Sequence, residues 1–161
     1  MNLDFNLNFT LSKTIEDGVV MKNLYGSGFT GLNNLGNSCY MNSVIQVLFS
    51  LESFQAKYFD TAMEHLLACK KVPADCYLCQ LSKIMYGLYS GAYSEKKIRL
   101  LPEIDGKREE EDFQEGIYPN SFKNYFAQGH KDFTSNKQQD ASEYLFHVIE
   151  IFEVRFVNLL I

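Results

Sequence analysis

At 161 residues, with 46% hydrophobic and 22% charged side chains, the chain has the length and make-up of one globular domain, not of a disordered segment. A formal net charge of −5 argues against a nucleic-acid partner, which needs a concentrated basic patch; Lys96, Lys97 and Arg99 are answered by Glu109, Glu110, Glu111 and Asp112. No apolar run reaches the roughly 18 residues of a membrane span, so no membrane partner is expected.

Residues 1–30 hold Gly18, Gly26 and Gly28 and no sustained period, and read as an extended lead-in. GLNNLGNS, residues 31–38, is a turn-forming run of Gly and Asn. Beyond it Tyr40, Val44, Val47, Leu48 and Leu51 recur at spacings of three and four, which predicts a helix with one apolar face and Ser38 as its N-cap. A second helix is expected over about 54–70, with Phe54, Tyr58, Met63, Leu66 and Leu67 inward, interrupted by Pro73 and Asp75. Helical spacing resumes at Leu78, Leu81, Met85 and Leu88 until Gly91. Residues 92–114 are charged and aperiodic, and read as a long flexible surface loop. A short helix starts near Pro119, with Phe122, Tyr125 and Phe126 inward and Gly129 closing it. The clearest period lies over about 137–158, where Ala141, Leu145, Val148, Ile149 and Phe152 form one stripe. The apolar end VRFVNLLI is expected to continue into more structure or to dock as a tail.

MNLDFNLNF lacks the basic and continuous apolar parts of a signal peptide, so the default location is reducing and cytoplasmic, with the nucleus also open. Cys39, Cys69, Cys76 and Cys79 are then free thiols unless they bind metal.

Cys39 sits just inside a predicted helix N-terminus. Unpaired backbone N–H groups and the positive end of the dipole favour thiolate there. The same amides can converge on an oxyanion formed when the sulfur attacks a carbonyl. Asn34 or Asn37 can add a side-chain N–H, and Gly31 and Gly36 let the backbone wrap close. A small buried cysteine is the competing reading.

The segment GFTGLNNLGNSCYMNSVIQVLFS, residues 28–50, resembles the cysteine box of ubiquitin-specific proteases. NKQQDASEYLFHVIE, residues 136–150, resembles the family's second box, in the right order and about a hundred residues on. The lead-in EDGVV…YGSGFTG and the stretch QEGIYPNSFKNYFAQGHKDFTSN resemble more narrowly the isopeptidase T branch, which disassembles free polyubiquitin. The resemblance spans about residues 16–155 and implies a mainly α fold: residues 31–161 as the helical thumb of a papain-like cysteine protease, truncated, α+β when complete.

By that resemblance Cys39 is the nucleophile that attacks the carbonyl of ubiquitin's C-terminal glycine, and Asn34 the side-chain oxyanion donor. Asn37 is the weaker candidate. Gln138, Asp140 and Glu143 correspond to positions lining the channel for the ubiquitin tail, Asp140 facing an arginine. Spacing alone places Asp140, Glu143 and His147 on one polar face of the last helix; the competing reading is a solvated face. Ser142 and Tyr144 depart from the commoner Gln/His and Phe.

The resemblance implies no cofactor, and places the catalytic histidine and its Asp or Asn partner in a distal box; nothing after residue 150 matches it. His65 is read as a helix-surface residue, His130 as a loop residue and His147 as structural. Two functions follow: a thiol-dependent deubiquitinase acting on polyubiquitin and dependent on sequence outside this chain, or a catalytically incomplete module or remnant that binds the ubiquitin tail. Cys76-x-x-Cys79 invites zinc or redox chemistry, but zinc needs four ligands and only Cys69 and His65 are near in sequence. Ordinary thiols and no metal are the expectation.

Overall fold

The computed structural model describes residues 15–16, 19–20, 23–103 and 106–157, with side chains for 23–103 and 106–154. Most of the expected lead-in and the apolar end after Val157 lie outside the described residues.

Two short strands, β1 (Ile15–Glu16) and β2 (Val19–Val20), pair antiparallel. From Asn23 onward the lead-in is fastened down. Gly26 N–H reaches Ser94 O at 3.0 Å and Gly28 N–H reaches Leu88 O at 3.2 Å.

Six helices follow: α1 (Cys39–Ser50), α2 (Glu52–Tyr58), α3 (Ala62–Ala68), α4 (Tyr77–Tyr89), α5 (Asn120–Phe126) and α6 (Ala141–Val157), so the described chain is mainly α as expected. α1 packs on α6 and α2, and α4 on α3 and α5. The core they enclose is aromatic. Phe122 and Phe126 stack at 4.1 Å between ring centroids, and Phe49, Phe133 and Tyr144 are fully buried around them. Each such side chain contributes about 1.5–3 kcal/mol by leaving water, which is what holds helices of seven residues that could not form alone.

The segment expected as one helix over 54–70 is two. The chain breaks at Phe59–Thr61, where Thr61 Oγ1 bonds back to Lys57 O at 2.8 Å, competing with the helical ladder. Met63 and Leu67, expected inward, are exposed, and Ala62 takes the buried place. On α6 the stripe is rotated. Tyr144 and Val148 are buried while Ile149 is exposed, because Tyr144 extends the apolar face toward α1.

The stretch 92–114 is not a structureless loop. Strands β3 (Lys97–Leu100) and β4 (Glu110–Phe113) form an antiparallel ribbon with Arg99 opposite Glu111. Ile98 and Leu100 alternate with Lys97 and Arg99 over only four exposed residues and β4 is acidic up to Phe113, too short an apolar pattern to mark the ribbon in sequence. Charge pairing takes that role: Lys96–Asp112 at 2.7 Å, Arg99–Glu111 at 2.6 Å and Lys97–Glu115 at 2.8 Å.

After the ribbon the chain returns to the turn before α1. Leu32 and Ile117 form a parallel bridge, with Asn33 N–H to Ile117 O at 2.9 Å and Ile117 N–H to Gly31 O at 3.0 Å. Gly116 makes that approach possible: its φ is +66°, and a Cβ there would lie 2.5 Å from Gly31 O.

Candidate active site

Cys39 is the first residue of α1, and its thiol is exposed. The loop in front of it turns through Gly36 at φ +85° and Asn37 at φ +56°. Ser38 stands at the N-cap position but does not cap the helix with its side chain. Its hydroxyl is buried, accepts from Leu35 N–H at 2.8 Å and donates to Asn34 Oδ1 at 3.0 Å. Ser38 N–H donates to the same oxygen at 2.9 Å. Asn34 therefore has its amide oxygen held in the loop, which leaves the NH2 end to donate outward. Asn42, one turn into α1, reaches back to Leu32 O at 3.3 Å and Asn33 O at 3.2 Å, tying the loop to the helix.

Asn37 has another task. Its NH2 donates to Asn136 O at 3.0 Å, joining the loop before Cys39 to the segment that enters α6. Next in each chain segment, Tyr40 and Tyr144 meet edge to face with ring centroids 5.2 Å apart. The starts of α1 and α6 are thus held together, and with them Cys39, Asn34 and the residues around Asp140. Burial, and then the neighbouring Cys39, push the Tyr40 hydroxyl above its ordinary pKa.

Asp140 lies just before α6, not on its polar face. Its Oδ1 accepts from Ser142 N–H at 2.7 Å and Glu143 N–H at 3.1 Å, an N-cap arrangement. Those amides, Glu143's first, hold its carboxyl below the usual range. Gln138, Asp140 and Glu143 are all exposed. His147 does not share their face. It is half-buried, with Nε2 2.6 Å from Phe126 O and its ring 5.0 Å from that of Phe133.

His130 stacks on Phe133 at 4.0 Å, as a structural loop residue. His65 is no plain helix-surface residue: its Nε2 lies 3.5 Å from Cys76 Sγ and 3.4 Å from Cys79 Sγ. Cys69 completes the group, its Sγ 3.7 Å from that of Cys76. Ordinary thiols and no metal are the expectation from sequence; the structure leaves all four cysteines free and brings Cys69, Cys76, Cys79 and His65 together. The signal was present as His-x3-Cys and Cys-x2-Cys flanking Pro73; what the sequence did not show was the reversal of α3 onto α4. Burial, with the adjoining thiols adding to it, pushes the Cys79 thiol up to about 12, while the Lys71 backbone N–H pulls Cys69 down.

A chemically coherent picture results: an exposed sulfur at a helix start, an amide side chain locked as a donor, and an exposed acidic edge next to both. The family model described as ubiquitin carboxyl-terminal hydrolase matches residues 30–158. Ubiquitin carboxyl-terminal hydrolase 5 of Homo sapiens is 44% identical over 141 residues, which are 86% of this chain and 16% of that protein. Ubiquitin carboxyl-terminal hydrolase A of Dictyostelium discoideum is 41% identical over 155 residues, 95% of this chain and 18% of that protein. Ubiquitin carboxyl-terminal hydrolase 13 of Danio rerio is 39% identical over 140 residues, 86% of this chain and 16% of that protein. The chain spans less than a fifth of the length of these relatives.

Proposed function

The chain belongs to the ubiquitin carboxyl-terminal hydrolase family, in its isopeptidase T-like branch, and we propose on that premise that it carries the nucleophile half of a deubiquitinase acting on polyubiquitin. In this reading α1 to α6 are the thumb. Cys39 Sγ attacks the carbonyl carbon of ubiquitin's terminal glycine, a sulfur–carbon bond forms, and the carbonyl electron pair moves onto oxygen. Asn34 Nδ2–H and the free amides at the start of α1 receive that oxyanion. Collapse reforms the carbonyl and expels the amine once it has gained a proton. Asp140, Gln138 and Glu143 hold the arginine-bearing tail that leads to the scissile bond.

The observation that carries this reading is the locking of Asn34 by Ser38 immediately in front of an exposed helix-start cysteine. Proton transfer is a separate matter. His65 lies among cysteines, His130 stacks on Phe133 and His147 bonds Phe126 O. The base therefore comes from outside the described residues, and this chain by itself captures the tail without turning it over. That favours the second reading, a ubiquitin-tail binding module, for the chain in isolation.

Ubiquitin carrying a C-terminal electrophile tests the proposal. One covalent adduct should form, map to Cys39 and vanish in Cys39→Ala. An adduct on any other cysteine, or none with folded protein, would sink it.

A further inference from the structure

We propose that His65, Cys69, Cys76 and Cys79 form a structural zinc site that staples α3 to α4. The four donor atoms lie within 4.8 Å of one another. A tetrahedral zinc with bonds of about 2.3 Å to sulfur and about 2.0–2.1 Å to nitrogen sets S···S edges of about 3.8 Å and S···N edges of about 3.5 Å. The three edges measured, 3.7 Å for Cys69–Cys76, 3.5 Å for His65–Cys76 and 3.4 Å for His65–Cys79, already have those lengths.

The placement in the chain is that of a clamp. His65 is in the last turn of α3 and Cys69 is the residue that ends it. A 3-10 turn, Pro73–Asp75, leads to Cys76 immediately before α4, and Cys79 lies in the first turn of α4. Gln80 Nε2 holds Pro73 O at 2.6 Å, so the turn itself is fixed. α3 packs on α4, with Ala62 as its fully buried side chain. The helix is seven residues long, Met63 and Leu67 point to solvent, and the connection Lys70–Asp75 is exposed throughout. A helix that short needs an external anchor, and four soft donors at its junction with the core helix α4 supply one.

Chemistry selects the ion. Three thiolates and one imidazole suit zinc over the hard cations, and a closed four-ligand set leaves no position for substrate, so the role is structural. Zinc replaces the three thiol protons, which pass to solvent, and the resulting single negative charge sits beside Lys70 and Lys71. Cys76 and Cys79 are buried, whereas His65 and Cys69 are partly open and form the entry.

The test uses the reduced 161-residue chain. Elemental analysis should find one zinc per chain, and cobalt in its place should give the intense d–d bands of tetrahedral coordination with a thiolate charge-transfer band. Cys69→Ser, at the open edge, should lose the charge-transfer intensity of one thiolate, and His65→Cys should keep the metal and strengthen that band. Cys39→Ser should change neither. Stripping zinc from the wild-type chain with a chelator should lower its melting temperature, and zinc alone should restore it. An octahedral cobalt spectrum, iron in place of zinc, or a Cys69–Cys76 disulfide as the sole state of protein made and kept under reductant would overturn the proposal. None of these readouts involves ubiquitin, so the proposal stands or falls apart from the assigned activity.

Discussion

The rings of Tyr40 and Tyr144 meet at 78° with centroids 5.2 Å apart, and through them the residue after Cys39 is packed on the residue after Glu143. Both rings are buried, and neither hydroxyl has a hydrogen-bond partner among the described residues. Aromatic packing at this point is what holds the start of α1, with Cys39, against the start of α6, with Glu143.

Tyr144→Phe should therefore stabilise the chain. The ring and its edge-to-face contact are kept, while an unpartnered hydroxyl, which costs roughly 1–3 kcal/mol when buried, is removed. Thermal unfolding should show a raised midpoint. Tyr144→Ala should instead lose about 3–5 kcal/mol, because it opens a cavity between α1 and α6. A lower midpoint for the Phe variant would mean the hydroxyl is satisfied in solution.

Asp140 should show itself in acid. Its folded-state pKa is lowered by the Glu143 and Ser142 amides from an ordinary 3.8, so its contribution to stability is complete above that value and is lost as pH falls through the lowered one. Asp140→Asn keeps an oxygen for the cap and removes the charge. Its stability should be flatter than wild type below pH 3.8. The same variant should bind intact ubiquitin several-fold more weakly, while binding of ubiquitin trimmed of its tail is unchanged. Calorimetry with both ligands decides, and equal losses would remove the tail contact from the account.

Gly116→Ala should damage the candidate site from a distance. The new Cβ meets backbone, Gly31 O at 2.5 Å, at a φ of +66° that Ala adopts poorly. The Leu32–Ile117 bridge then opens, and with it the loop that holds Asn34. A destabilisation above about 2 kcal/mol and slower adduct formation at Cys39 are expected. An unchanged adduct rate in folded variant would show that the bridge does not position the loop.

Cys39 should be alkylated first of the four cysteines, since its thiol is exposed while Cys76 and Cys79 are buried. Peptide mapping after a short pulse of iodoacetamide reads this directly. Release of a fluorophore from the ubiquitin C-terminus should not proceed past one equivalent, because no histidine is placed to activate water for the second step. Multiple turnovers abolished by Cys39→Ala would return one of the three histidines to the mechanism.

Hydrogen exchange should find the β3–β4 ribbon better protected than a charged loop, yet less than α6. Arg99→Met should lower that protection. Glu111 is largely buried and Arg99 half exposed, so the cost should fall between the roughly 1 kcal/mol of an open pair and the roughly 3–5 kcal/mol of a buried one. Ribbon amides exchanging at random-coil rates in the wild type would contradict the pairing.

What the sequence determined by itself is what short-range periodicity and motif can carry. The 3.6-residue spacing placed α1, α4, α5 and α6, since each buries one face regardless of which partner covers it. The Gly- and Asn-rich turn before Cys39 placed the sulfur at a helix start, and the two boxes named the family. What only the tertiary structure decided depends on residues distant in the chain. Ser38 occupies the N-cap position, yet its hydroxyl turns to Asn34, a choice between two partners that local spacing cannot make. The ribbon depends on pairing between strands of only four residues, β3 exposed along its length and β4 acidic up to Phe113. Asn37 meets Asn136 across 99 residues, and Tyr40 meets Tyr144, only because α1 and α6 pack together. The four metal-type ligands converge only once α3 folds back onto α4. Periodicity reports that a helix buries a face; which residues line that face, and which faces meet, is set by packing the whole core at once.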